Sequence, residues 1–228
     1  MDKIQKAVAR GLTALNEYDA KCFLSGFGIP VPREKLAQTA EEAATTAATI
    51  GFPVALKAAG TTLFHKSDVG GVSLNLKSEP EVMDEGRRLL RIPGCEAVLV
   101  QEMVQGDREL VCGLTRDPQL GACVMFGLGG IFTETLDDAV FRVAPIATSD
   151  ALEMLREIRS AKILESFRGQ SAADTEALTR ILVALGEISL RYEAIRAIDL
   201  NPIKIRPNGS PVAVDALISL LPQAARQG

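Results

Sequence analysis

The stretch AIDLNPIKIRPNGSPVAVDALI, residues 197–218, sets two strand-like runs on either side of Pro207–Asn208–Gly209. That cluster signals a hairpin, because asparagine and glycine accept the backbone angles a tight turn demands. Asp199 and Asn201 have the same parity and therefore share one face of the first strand. With the turn centred on Asn208, position 201 falls opposite 215, and Asp199, Asn201 and Asp215 converge. A slip of one residue would send Asp215 to the other face. Three hard oxygen donors in so small a space suit Mg²⁺, which takes few protein carboxylates and completes its octahedron with water and nucleotide phosphates. The same residues also suit a solvated sheet face beside a turn, and spacing alone leaves both readings open.

Upstream of the hairpin, helices are expected at about Asp150 to Arg159 and at Thr175 to Tyr192, the second N-capped by Asp174. A strand is expected near Phe141 to Ala144. Strands at Glu109 to Thr115 and Gly121 to Phe126 flank the short turn Arg116–Asp117–Pro118–Gln119–Leu120 and should pair antiparallel. Further back, Thr39 with Glu42 and Ser78 with Glu81 form two capping boxes. The first opens an alanine-rich helix stopped by Gly51 and Pro53, the second a helix to about Arg91. Strands follow or precede them at Val54 to Ala58, Val72 to Leu76 and Ala97 to Gln101. At the N-terminus Ile4, Val8, Leu12 and Leu15 recur at helical spacing, and a second short helix covers Tyr18 to Leu24. Helices and strands without a steady βαβ rhythm imply an α+β fold, in two lobes meeting near Gln101 to Gly106.

The 228 residues are 47% hydrophobic and 24% charged, enough for a large core or two smaller ones. Lys and Arg total 25 against 29 Asp and Glu, and the net charge of −4 argues against broad attraction to nucleic acid or to an anionic membrane. Cys22, Cys95, Cys112 and Cys123 form no C-x-x-C pair, which fits a reducing cytoplasm rather than a zinc site or a disulfide framework. The sequence MDKIQKAVARGLTALNE lacks the apolar core of a signal peptide. The longest apolar stretch, Ala122 to Phe132, falls short of the roughly 20 residues of a membrane helix.

Three further features could carry chemistry. Lys57 interrupts the apolar run VALKAA, so it either snorkels or aims its ammonium at an anion. Gly70–Gly71 and Gly127-x-Gly129–Gly130 allow close approach of backbone to phosphate, although tight turns use the same residue, and neither matches a Walker A or dinucleotide fingerprint. His65 lies in the polar segment Phe64–His65–Lys66–Ser67–Asp68–Val69–Gly70–Gly71. With an ordinary pKa of about 6.5, much of its imidazole is neutral near pH 7 and able to act as a nucleophile.

In order along the chain, GFPVALK (51–57), HKSDVGGV (65–72), VQEMV (100–104), RDPQLG (116–121), MFGLGGIF (125–132), FRVAPI (141–146) and DLNPI (199–203) resemble the ATP-grasp (β) subunit of ADP-forming acyl-CoA synthetases. More distantly they resemble the β subunit of succinyl-CoA synthetase. The segment Ala58 to Phe64 departs from the family pattern before the histidine. The resemblance implies an ATP-grasp fold, two α+β lobes with the nucleotide cleft between them. Residues 1–28 would form an N-terminal helical segment, 29–104 the small lobe with the His65 loop, and 105–228 the large lobe with the Mg²⁺-binding hairpin. It assigns Lys57 to ATP phosphates, Glu102 and Val104 to adenine, and Glu109 to the ribose. Gly129, Gly130 and Arg142 fall along the phosphate path, and Asp199, Asn201 and Asp215 hold Mg²⁺. His65 becomes a phosphohistidine relay between ATP/ADP and a primary histidine on a separate CoA-binding (α) subunit, in a cytoplasmic hetero-oligomer. The alternative is a stand-alone nucleotide-binding regulatory module without turnover.

Overall fold

The computed structural model describes residues 2–60, 69–130, 138–167 and 169–222. Its α helices are α1 (Lys3–Ala9), α2 (Glu17–Ser25), α3 (Ala40–Ile50), α4 (Glu79–Leu89), α5 (Thr148–Glu157) and α6 (Thr175–Arg191). The strands are β1 (Glu34–Ala37), β2 (Val54–Ala59), β3 (Val72–Leu76), β4 (Ala97–Glu102), β5 (Arg108–Asp117), β6 (Gly121–Leu128), β7 (Ala139–Val143), β8 (Ile195–Ile205), β9 (Pro211–Ala213) and β10 (Leu217–Leu220). They divide into a small unit, Asn16–Tyr18 with Pro32–Val104, and a large unit drawn from Met1–Leu15, Asp19–Val31 and Gln105–Gly228.

In the small unit both expected N-caps form, but the boxes close one residue early, with Glu42 and Glu81 accepting from Gln38 and Lys77 N–H, both at 2.9 Å, rather than from the cap residue. Thr39 Oγ1 accepts from Glu42 N–H at 3.1 Å to start α3, and Ser78 Oγ accepts from Glu81 N–H at 3.5 Å to start α4. The two helices cover one face of a four-stranded antiparallel sheet of order β1-β4-β2-β3. That face presents Val54, Leu56, Ala58, Val98 and Val100 to Ala43, Ala44, Ala47, Val82 and Leu89. Each fully buried Val or Leu contributes about 1.5–3 kcal/mol. Alternation then forces Lys57 onto the opposite face, in register with Leu99 and Val72. Strand β1 falls where the sequence signals no element, just before the helix capped by Thr39. Four residues with two charges give too short a pattern to stand out.

In the large unit, β10-β8-β5-β6-β7 form one antiparallel sheet, with β9 also paired to β8. The even-numbered residues Leu110, Cys112, Leu114, Val124 and Phe126 enter the core with Met154 of α5 and Leu178, Ile181, Leu182 and Leu185 of α6. Asp174 caps α6 by accepting from Ala177 N–H at 2.9 Å. The β5–β6 hairpin forms as expected, and Asp117 Oδ1 closes its turn by accepting from Gln119 and Leu120 N–H, both at 2.8 Å.

The helical spacing through Leu15 overreaches. Helix α1 ends at Ala9, Gly11 follows with φ of 70°, and Leu15 N–H donates to Ile218 C=O at 3.0 Å. Leu15 is drawn to the core by backbone pairing beside β10, and Leu12 by a turn that bonds its N–H to Ala7 C=O at 3.0 Å, rather than by a helix face. No helix among the described residues is long and apolar enough to cross a membrane.

Candidate functional site

The large-unit sheet turns its other face away from α5 and α6, and Asp199, Asn201, Asp215 and Glu109 gather there. Asp199 pairs with Leu217 on one side and Gly113 on the other; Gly113 pairs with Met125, and Met125 with Phe141. Directly paired residues share a face, so this row lies opposite the core row of Ile198, Leu114 and Val124.

The hairpin register follows the sequence reading. Pairs from Ile205–Pro211 to Ile203–Ala213, and from Asp199–Leu217 to Ala197–Ser219, are all centred on residue 208. Between the two ladders Val214 N–H donates to Pro202 C=O at 3.0 Å, which keeps the same centre and brings Asn201 level with Asp215. Asp199 and Asn201 are exposed and Asp215 is half-buried. Asp215 Oδ1 accepts from Ala216 N–H at 2.8 Å. Asp199's carboxyl is pushed above the ordinary carboxylate range, first by desolvation and then by the charge of Asp215. Two like charges are thus held close, with Asn201 at the neighbouring register position. Among the described residues no group of three or more His, Cys, Asp or Glu could hold a metal ion. A cation here would take two carboxylates and an amide, and the remaining positions suit water and phosphate oxygens. That donor set fits Mg²⁺.

A second cluster occupies the end of the same sheet. Glu109, Gly129 and Gly130 line an open cavity of about 400 Å³, together with Gly106, Ile163 and Lys204. Gly129 N–H donates to Glu109 C=O at 2.9 Å, and a Cβ at Gly129 would meet the Leu110 backbone at 2.6 Å, so no larger residue fits. Gly130 has φ of 73°, and a Cβ there would lie 2.6 Å from Glu109 Oε2. Arg108, almost wholly buried, donates to the carbonyls of Ile163 (3.2 Å), Glu165 (3.1 Å) and Ser171 (2.6 Å), which fixes the segment that carries Ile163.

Arg142 does not join these clusters. It pairs with Val124 in the core-side row, on the opposite face from Asp199 and Glu109. Its guanidinium is bonded to Glu157 of α5, which also raises its pKa. The FRVAPI motif fixes Arg142's place in the chain but not the face, which is set by the β6–β7 register.

In the small unit Lys57 is buried, and its Nζ lies 2.6 Å from Glu17 Oε1, also buried. The ammonium is therefore aimed at an anion, but a protein carboxylate. Glu102's side chain accepts from Arg33 Nε at 2.9 Å and its N–H donates to Arg33 C=O at 2.9 Å, while Val104 is buried. His65 lies outside the described residues.

Three charged residues of this chain escaped the sequence reading. On α2, positions 17, 20, 21 and 24 form a buried stripe, and two of the four are Glu17 and Lys21. Charges within an otherwise apolar stripe are the signal that could have found them. Lys21 is fully buried, and its Nζ donates to Val214 C=O at 3.2 Å, next to Asp215. The third is Lys204, whose Nζ lies 3.2 Å from Glu109 Oε1.

Two α+β units, glycine-walled space beside a carboxylate and a paired-acid hairpin fit a nucleotide-binding class of protein. The chain belongs to the ATP-grasp domain family, matched over residues 6–220. It is 43% identical over 224 residues to the acetate–CoA ligase [ADP-forming] I subunit beta of Pyrococcus furiosus, covering 95% of this chain and 96% of that one. Among solved structures it is similar to acetyl-coenzyme A synthetase 1 of Ca. Korarchaeum cryptofilum in complex with coenzyme A and Ca-AMPCP. That match has a TM-score of 0.90 and 44% identity, covering 96% of this chain and 98% of the other. A second structure of that enzyme, with coenzyme A and Mg-AMPPCP, has its phosphohistidine segment pointing towards the nucleotide-binding site. It matches with a TM-score of 0.84 and 44% identity, over 96% of this chain and 98% of that chain.

Proposed function

We propose that this chain is the nucleotide-binding subunit of an ADP-forming acyl-CoA synthetase, a ligase that interconverts carboxylate, CoA and ATP with acyl-CoA, ADP and phosphate. The observation that carries the reading is the sheet face of the large unit. Two repelling carboxylates and an amide lie there in register, on the same face as a glycine-walled cavity with its own carboxylate. A regulatory module without turnover has no observation in its favour.

In this reading Asp199, Asn201 and Asp215 hold Mg²⁺, which when bound supplies charge neutralisation to the nucleotide phosphates. Glu109 accepts from the ribose hydroxyls, while Gly129 and Gly130 let backbone approach the phosphates. Glu102 and Val104 contribute backbone groups to adenine. Lys57 reaches a phosphate by exchanging Glu17 for it. Arg142 is left out, because the large-unit sheet separates it from Asp199 and Glu109. His65, neutral, attacks the γ-phosphorus of ATP; the new N–P bond forms as the bond to the ADP oxygen breaks, and positioning and charge stabilisation do most of the catalysis. The phosphoryl group then passes to a primary histidine on a CoA-binding α subunit, in a cytoplasmic hetero-oligomer. The reverse transfer makes ATP.

The test is incubation of the full chain with γ-labelled ATP and Mg²⁺, with and without the α subunit. An acid-labile label that appears on His65, chases to ADP and vanishes in His65→Ala is the expected result. ATP binding without such a label under either condition contradicts the relay.

A further inference from the structure

Lys204 lies directly opposite Glu109 across the β5–β8 ladder, and its side chain is mostly buried at the edge of the cavity. Simple alternation would not put it there. Asp199 is odd-numbered and Lys204 even, so on a regular strand they would occupy opposite faces. The ladder shifts by one residue: Leu110 pairs with Ile203 but Cys112 with Leu200, so the two residues Asn201 and Pro202 stand opposite Val111 alone. This β-bulge inverts the parity and turns Lys204 to the face that carries Glu109 and Asp199.

The ammonium makes two contacts there. It lies 3.2 Å from Glu109 Oε1 and donates to Gly106 C=O at 3.1 Å. Gly106 itself is pressed against Ile205 C=O so closely that any Cβ would collide, which fixes the chain as it enters β5. Glu109's other oxygen, Oε2, faces the Gly130 turn, 2.6 Å from where a Cβ would stand. The carboxylate is thus clamped between a cation and a side-chain-free turn. A free glutamate would have to lose most of its rotamer entropy on binding a ligand. One already clamped presents its lone pairs at fixed positions, the arrangement that suits two adjacent hydroxyl donors.

We infer that Lys204 is a positioning residue that selects for the ribose diol of the nucleotide by holding Glu109 in place. The inference rests on the reading of Glu109 as the ribose acceptor. The test compares Mg²⁺-ADP with Mg²⁺-2′,3′-dideoxy-ADP by isothermal titration on the full chain. The wild type should favour ADP by about tenfold or more, the loss expected for a hydrogen bond to a charged group. Lys204→Met should bring the two affinities close together by weakening ADP while leaving the dideoxy nucleotide unchanged. Lys204→Arg, which can still bridge carbonyl and carboxylate, should restore the preference and guards against a folding defect. If the wild type discriminates and Lys204→Met discriminates equally, the inference fails and the Glu109 reading stands. Equal loss of both nucleotides in Lys204→Met makes the lysine a general anion contact or a structural one and also overturns the inference. A wild type indifferent to the diol removes Glu109 from the ribose and the inference with it.

Discussion

Lys57 in the small unit and Asp199 in the large unit are in opposite electrostatic situations. Lys57 is already neutralised by Glu17 at 2.6 Å, with both side chains out of water. Asp199's carboxyl is pushed above its ordinary range, first by desolvation and then by the like charge of Asp215. The first arrangement is closed, and a phosphate must displace a carboxylate to use that lysine. The second is open, and a divalent cation relieves a repulsion already present. Binding through the hairpin therefore needs no rearrangement of charge, whereas binding through Lys57 carries the cost of parting a buried pair.

The largest effect should come from the closed pair. Lys57→Met leaves Glu17 buried without its cation and should lower stability by about 3–5 kcal/mol in urea unfolding, with most of it recovered in the Glu17→Gln/Lys57→Met double variant. A loss below about 1 kcal/mol would place the pair in the weak class of surface ion pairs and erase the contrast. Next, ADP with Mg²⁺ at 100 times its dissociation constant should add about 2.7 kcal/mol to the stability of the wild type, read as a rise in Tm. No rise with saturating Mg²⁺ and ADP would mean that nothing binds.

A smaller effect is the pH dependence of the open cluster. Asp199 has a folded pKa above its unfolded value, so the native state binds more protons and stability falls as pH rises from about 4 through the raised value. Asp215→Asn removes one cause of the shift and should flatten that fall in unfolding midpoints measured without Mg²⁺. An unchanged slope would leave desolvation as the whole cause. Smallest of all, Arg142→Gln breaks the half-exposed pair with Glu157 and the bond to Phe141 C=O and should cost at most about 0.5 kcal/mol, with nucleotide affinity unaltered. A marked loss of ADP affinity would return Arg142 to the phosphate path.

Local signals in the sequence carried far. The caps at Thr39, Ser78 and Asp174, the β5–β6 hairpin and the centre of the terminal turn all follow from residue chemistry within a few positions, and each is seen. What depends on distant pairing was not legible. Arg142's face is set by its register against β6, and Lys204's by a bulge defined against β5. The partner of Lys57 is 40 residues earlier in the chain, on a helix whose buried stripe includes two charges. Strand β1 is too short to announce itself and is held by its pairing with β4.

The most direct measurement is the affinity of the full chain for ADP with Mg²⁺ and with a chelator, in the wild type and in Asp215→Asn. If the hairpin acids are where the cation and the nucleotide meet, Mg²⁺ tightens ADP binding in the wild type and that gain largely disappears in the variant. Equal tightening by Mg²⁺ in both proteins would contradict the account.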